Sequence, residues 1–118
     1  MSCLFDSIAY FVKLDGFSVR QIICNYLEAN NPIMEGLDTK TILSIEDPEY
    51  IKKMRITTTF GGGPELKAAS NIWNIKIIVF INKQLTEKIE FIPLSNTHQG
   101  HIELFWTGNH YDPIVRQA

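Results

Sequence analysis

The stretch Asn74-Ile75-Lys76-Ile77-Ile78-Val79-Phe80-Ile81 decides how this chain folds. Here the apolar residues stop following a helical period, and Ile75 to Ile81 becomes a nearly continuous apolar run rich in β-branched side chains. A strand covered on both faces needs such a run, because each successive side chain points to the opposite face and both faces are dry. This run is therefore expected to be the central strand of a sheet.

Upstream of it the periodicity is helical. Leu4, Ile8, Phe11 and Val12 share one helical face, with Ser2 as a competent N-cap. Ser18-Val19-Arg20-Gln21 fits a capping box that opens a second helix, whose stripe is Val19, Ile22, Ile23, Tyr26 and Leu27 and which ends at Asn30-Asn31-Pro32. Residues 33–47 read as variable surface with at most a short turn from Thr41 to Ile45. Asp47-Pro48-Glu49 is an N-cap, a proline and an acid at the start of a short helix reaching about Met54. Gly61-Gly62-Gly63-Pro64-Glu65 leads into a helix with Leu66, Ala69, Ile72 and Trp73 on one face, ending near Asn74.

Downstream the pattern is extended. Glu87 to Leu94 is a second strand, and Ile102, Leu104 and Trp106 alternate in a third. Thr107-Gly108-Asn109 is a turn, and His110-Tyr111-Asp112 is a last extended piece that Pro113 confines to a sheet edge or strand end. Helices first and strands later predict an α+β domain, with helices packed around a short central sheet.

The 118 residues, 45% of them hydrophobic, suit one domain spanning 1–118 with a compact core and no linker or repeat. A net charge of −2 supplies no positive field for a phosphate backbone or an anionic membrane, so neither nucleic acid nor membrane is expected as a partner. Two cysteines, Cys3 and Cys24, are too few for a disulfide framework, although one pairing between them stays open; a reducing, cytoplasmic setting is expected. The start of the chain shows no leader pattern, and the protein is expected to be soluble and monomeric.

Two groups can carry chemistry. Cys3 falls in the first turn of the first helix, where unpaired N–H groups and the helix dipole favour the thiolate. Read alone, it fits a small buried apolar residue near a chain end better than a nucleophile. His110 lies far off in sequence beside a glycine turn, and Asp112, two residues on in an extended segment, shares its face and can orient the imidazole. Read alone, that trio is equally a surface strand end. Cys24, among Ile22, Ile23 and Tyr26, reads as core. His98 and His101 lack the neighbouring ligands of a zinc site, so no metal is expected, and Gly61-Gly62-Gly63 lacks the Gly-Lys-Ser/Thr of a phosphate loop, so no nucleotide cofactor is expected.

Four blocks in order, Cys3-Leu4-Phe5-Asp6-Ser7-Ile8-Ala9, Glu49-Tyr50-Ile51-Lys52-Lys53-Met54, Phe60-Gly61-Gly62-Gly63-Pro64-Glu65-Leu66-Lys67-Ala68-Ala69 and Asn109-His110-Tyr111-Asp112-Pro113-Ile114, resemble the ovarian-tumour (OTU) family of cysteine deubiquitinases. The resemblance implies a small papain-like fold and cleavage of the bond after the C-terminal Gly-Gly of ubiquitin or a ubiquitin-like modifier. It implies no cofactor. Cys3 matches the family's nucleophile, His110 its base and Asp112 its third member. Asn109, Gly61 and Gly62 match positions near the diglycine channel, and Glu65 or Glu103 is expected to pair with arginines of the ubiquitin tail. Two departures stand out: Phe60 replaces a common tryptophan, and the family's Asp-Gly-Asn-Cys loop is reduced to Met1-Ser2-Cys3, so the oxyanion hole needs another donor. That reduction also motivates a second expectation, a catalytically weak module that binds ubiquitin or another protein tail. The compact length fits a minimal member of the kind viruses and intracellular bacteria use in a host cytoplasm.

Overall fold

A computed structural model describes residues 2–116, so the Met1 part of the expected oxyanion loop lies outside the described residues. Among these residues five helices precede four strands: α1 Cys3–Val12, α2 Gly16–Glu28, α3 Thr39–Glu46, α4 Tyr50–Met54, α5 Gly63–Trp73, β1 Lys76–Phe80, β2 Lys88–Phe91, β3 His101–Trp106 and β4 Tyr111–Pro113. The sheet order is β2-β1-β3-β4, and the fold is α+β.

β1 is an interior strand, as its composition requires. Ile77, Ile78, Val79 and Phe80 are all buried, so side chains on both faces leave water. It pairs antiparallel with β2 on one side and parallel with β3 on the other, aligning Ile77 with Ile102 and Val79 with Leu104. β4 closes the far edge antiparallel to β3 and ends at Pro113, which has no N–H to give to a ladder.

The core forms where α1, α2 and α5 meet the face of the sheet carrying Ile77, Val79 and Leu104. α1 contributes Leu4, Phe5 and Ile8, each essentially fully buried. At about 1.5–3 kcal/mol for each large apolar side chain removed from water, these three alone anchor α1 firmly. No helix among the described residues is long and apolar enough to cross a membrane.

Three local expectations need correction. α2 starts at Gly16, not Ser18, because the Asp15 carboxylate is the cap: it accepts from the Ser18 N–H at 2.7 Å and the Ser18 hydroxyl at 3.0 Å. The segment read as variable surface contains the full helix α3, capped by Asp38 through the Thr41 N–H and hydroxyl and braced by Asn30. Asp47 ends α3 instead of capping α4, which begins at Tyr50. In the first two cases the deciding acid sits one or more residues before the periodic pattern, where a cap must sit to reach the first free N–H groups.

Candidate active site

The first residue of α1 is Cys3, and the residue just before β4 is His110. α1 and β4 pack together, and both residues line one cleft of about 610 Å³. Its α1 wall is Cys3, Asp6, Ser7 and Tyr10, which lie at i, i+3, i+4 and i+7, a single helical face next to the buried stripe. Its other walls are the segment Asn109–Pro113 and Phe60. That α1 face follows the helical period too, but its mixed polarity sets it outside the apolar stripe that marks the helix.

His110 is aimed from its own side of the cleft. Thr107 to Asn109 turn the chain from β3 to β4, with Gly108 at φ +107°, a backbone conformation that disfavours a side chain. The Thr107 N–H donates to the His110 carbonyl at 3.0 Å, and the Thr107 hydroxyl donates to the Asn109 amide oxygen at 2.9 Å. His110 Nε2 lies 3.0 Å from Asp112 Oδ1, the same-face contact expected of residues two apart in extended chain. Both side chains are about half exposed, so the pair adds little stability. With Nε2 engaged by Asp112, Nδ1 is the ring nitrogen left to accept a thiol proton. Tyr111 between them stacks on Trp106, ring centroids 4.5 Å apart, and its burial raises its hydroxyl's pKa.

Cys3 and Cys24 are both free, which closes the pairing left open by the sequence. Cys24 is fully buried in α2, and burial pushes its thiol up to about 11, which keeps it protonated and inert. Among the described residues no three His, Cys, Asp or Glu side chains gather as a metal site.

The channel residues divide. Asn109 lines the Cys3 cleft, whereas Gly61, Gly62 and Glu65 line a neighbouring cleft of about 480 Å³ that shares Phe60 as a wall. Gly61 is needed for packing: a Cβ there would fall 2.8 Å from Leu4 Cδ2 and 2.9 Å from Phe5 Cζ. Glu65 overturns the expectation of an arginine-pairing surface acid. It is fully buried, accepting from the Gly62 N–H at 2.7 Å and the Tyr50 hydroxyl at 2.6 Å, and burial raises its pKa. The helix start at α5 needs that carboxyl group to satisfy Gly62, and this local demand draws it inward. Glu103 is already bound by Arg116.

A sequence model of the family described as OTU-like cysteine protease matches residues 2–111. The chain belongs to this OTU-like family. Ubiquitin thioesterase OTU1 of Xenopus laevis is 26% identical over 122 aligned positions, covering 98% of this chain and 38% of the relative. OVARIAN TUMOR DOMAIN-containing deubiquitinating enzyme 10 of Arabidopsis thaliana is 34% identical over 67 residues, covering 56% of this chain and 19% of the relative. The chain therefore spans well under half the length of either. Among solved structures, an OTU domain in complex with ubiquitin superposes with a TM-score of 0.72 at 22% identity, covering 95% of this chain and 62% of that one. The OTUD1 OTU domain gives 0.67 at 21%, covering 98% and 79%. These likenesses establish that the helices and four-stranded sheet of this OTU-like chain are those of an OTU domain.

Proposed function

We propose that this chain is a cysteine hydrolase that cleaves the isopeptide or peptide bond after the C-terminal Gly-Gly of ubiquitin or a ubiquitin-like modifier. The observation that carries the reading is the shared cleft holding Cys3 at a helix N-terminus and His110 already oriented by Asp112. The relatives' names, a ubiquitin thioesterase and a deubiquitinating enzyme, and the ubiquitin bound in a structural neighbour support the substrate class.

In this mechanism His110 takes the Cys3 proton, and the thiolate attacks the carbonyl carbon of the last glycine. The Cys3 N–H, in a first turn that has no helical acceptor for it, is one donor to the oxyanion. The C–N bond then breaks, the imidazolium gives its proton to the departing amine, and a thioester remains. Water, deprotonated by His110, hydrolyses the thioester and restores the thiol. Asp112 holds the imidazole in the tautomer and orientation this sequence requires.

Ubiquitin carrying a C-terminal electrophile tests the reading. The native protein should form a covalent adduct, and Cys3→Ala, which retains Cys24, should form none. Failure of the native protein to react over hours while ubiquitin binding remains measurable would leave only the binding-module reading.

A further inference from the structure

Arg20 is an unusual side chain for its position. It lies in α2 with no exposed surface, although arginine is almost never fully buried unless its donors are engaged. Its Nη1 donates to the Met54 carbonyl at 2.7 Å, and its Nη2 donates to the Thr57 carbonyl at 3.2 Å and reaches the Ser2 hydroxyl at 3.5 Å. The Ser2 hydroxyl in turn points to the Thr57 carbonyl at 3.4 Å and makes no cap bond to α1. The guanidinium carbon lies 4.2 Å from the centroid of the Phe5 ring, whose far edge meets Gly61.

These contacts join two parts of the cleft that are distant in sequence. Ser2 and Phe5 flank Cys3 at the start of α1. Met54 and Thr57 belong to the segment that leads to Phe60, the wall shared by the two clefts, and to Gly61 beside it. A planar fork of fixed donors can hold two carbonyls and cover a ring at once, which a lysine ammonium cannot.

We infer that Arg20 is a positioning residue for the nucleophile: its guanidinium ties the start of α1, and with it Cys3, to the 54–57 segment and so sets the thiol against the Phe60 wall and the His110 side of the cleft. The inference rests on the proposed thiol-hydrolase reading. It goes beyond that reading by assigning part of the site's geometry to a residue outside the cleft. Misplacement of reacting groups by about 1 Å can cost about 10²-fold in rate, so a clamp of this kind shows in turnover before it shows in substrate binding.

The test compares native protein with Arg20→Lys and Phe5→Leu, each assayed for thermal unfolding, for kcat and KM on a fluorogenic ubiquitin C-terminal amide, and for Cys3 alkylation by chloroacetamide. Cys3→Ala supplies the alkylation blank. Both variants should lower kcat per folded molecule by about 10–100-fold with KM within about twofold, and should slow alkylation about tenfold, because a displaced thiol loses its base. Phe5→Leu keeps an apolar side chain in the core and carries the test if Arg20→Lys does not fold. Activity that falls only in proportion to the unfolded fraction, with alkylation of the folded protein unchanged, overturns the clamp and leaves Arg20 a core residue. If the native protein does not turn over the ubiquitin amide, the substrate reading fails, and the alkylation rates still decide the clamp.

Discussion

Replacing Glu65 separates a buried helix cap from a surface recognition acid. In Glu65→Ala the Gly62 N–H and the Tyr50 hydroxyl, now 2.7 and 2.6 Å from carboxyl oxygens, lose their acceptors inside the protein. A buried donor left without a partner costs about 1–3 kcal/mol, and since the Gly62 N–H and the Tyr50 hydroxyl are only partly buried, the two together cost up to about 6 kcal/mol before any cavity is counted. Against a typical total of about 5–15 kcal/mol, that is enough to leave the variant marginal. Glu65→Gln keeps an oxygen for Gly62 and places an N–H₂ toward the Tyr50 oxygen, and should lose less than about 1 kcal/mol. Urea unfolding of the three proteins measures this directly. The pH dependence has a definite sign. Because burial raises the Glu65 pKa above its ordinary 4.5, the folded state binds more protons than the unfolded one above that pH. This group's contribution is therefore full below pH 4.5 and is lost as pH rises through the folded value; Glu65→Gln should remove that slope. If both variants shift stability by less than about 0.5 kcal/mol and raise KM for a ubiquitin substrate alike, Glu65 is a recognition acid and the burial argument is wrong.

Asp112→Ala should leave unfolding within about 0.5 kcal/mol of the native value, since the side chain is more than half exposed, while lowering kcat at least about tenfold through loss of His110 orientation; an unchanged kcat would remove Asp112 from the triad. Gly61→Ala should destabilise by about 1–3 kcal/mol because its methyl would meet Leu4 and Phe5 below 3 Å, whereas Gly63→Ala, with open space at the start of α5, should unfold like the native protein. Equal unfolding midpoints for these two variants would show that α1 does not close on Gly61 as described.

Much of the fold was legible because its signals are local. The change from helical to extended patterning at Ile75 placed the sheet after the helices and β1 inside it, since a nearly continuous apolar run, broken only by Lys76 at the strand's first position, tolerates no wet face. The i, i+2 relation of His110 and Asp112 followed from strand geometry alone and holds at 3.0 Å. Helix starts were less legible, since Asp15 and Asp38 cap from just outside the apolar pattern used to find the helices. Arg20 carried no signal of burial, because a charged residue on a helix is ordinarily a solvated one and only its partners reveal otherwise; Glu65 stands at capping-box spacing from Gly62, but its second partner, Tyr50, lies on another helix.

By itself the sequence determined the α+β order, the inner strand, the helix-start position of Cys3 and the shared face of His110 and Asp112. Each depends on residues within a turn or two of one another. Only the tertiary structure decided that α1 and β4 bring Cys3 and His110 into one cleft, that Gly61 is a packing contact with α1, and that Glu65 and Arg20 face inward. The physical reason is that burial and hydrogen-bond satisfaction are settled between segments far apart in the chain, where local periodicity carries no information.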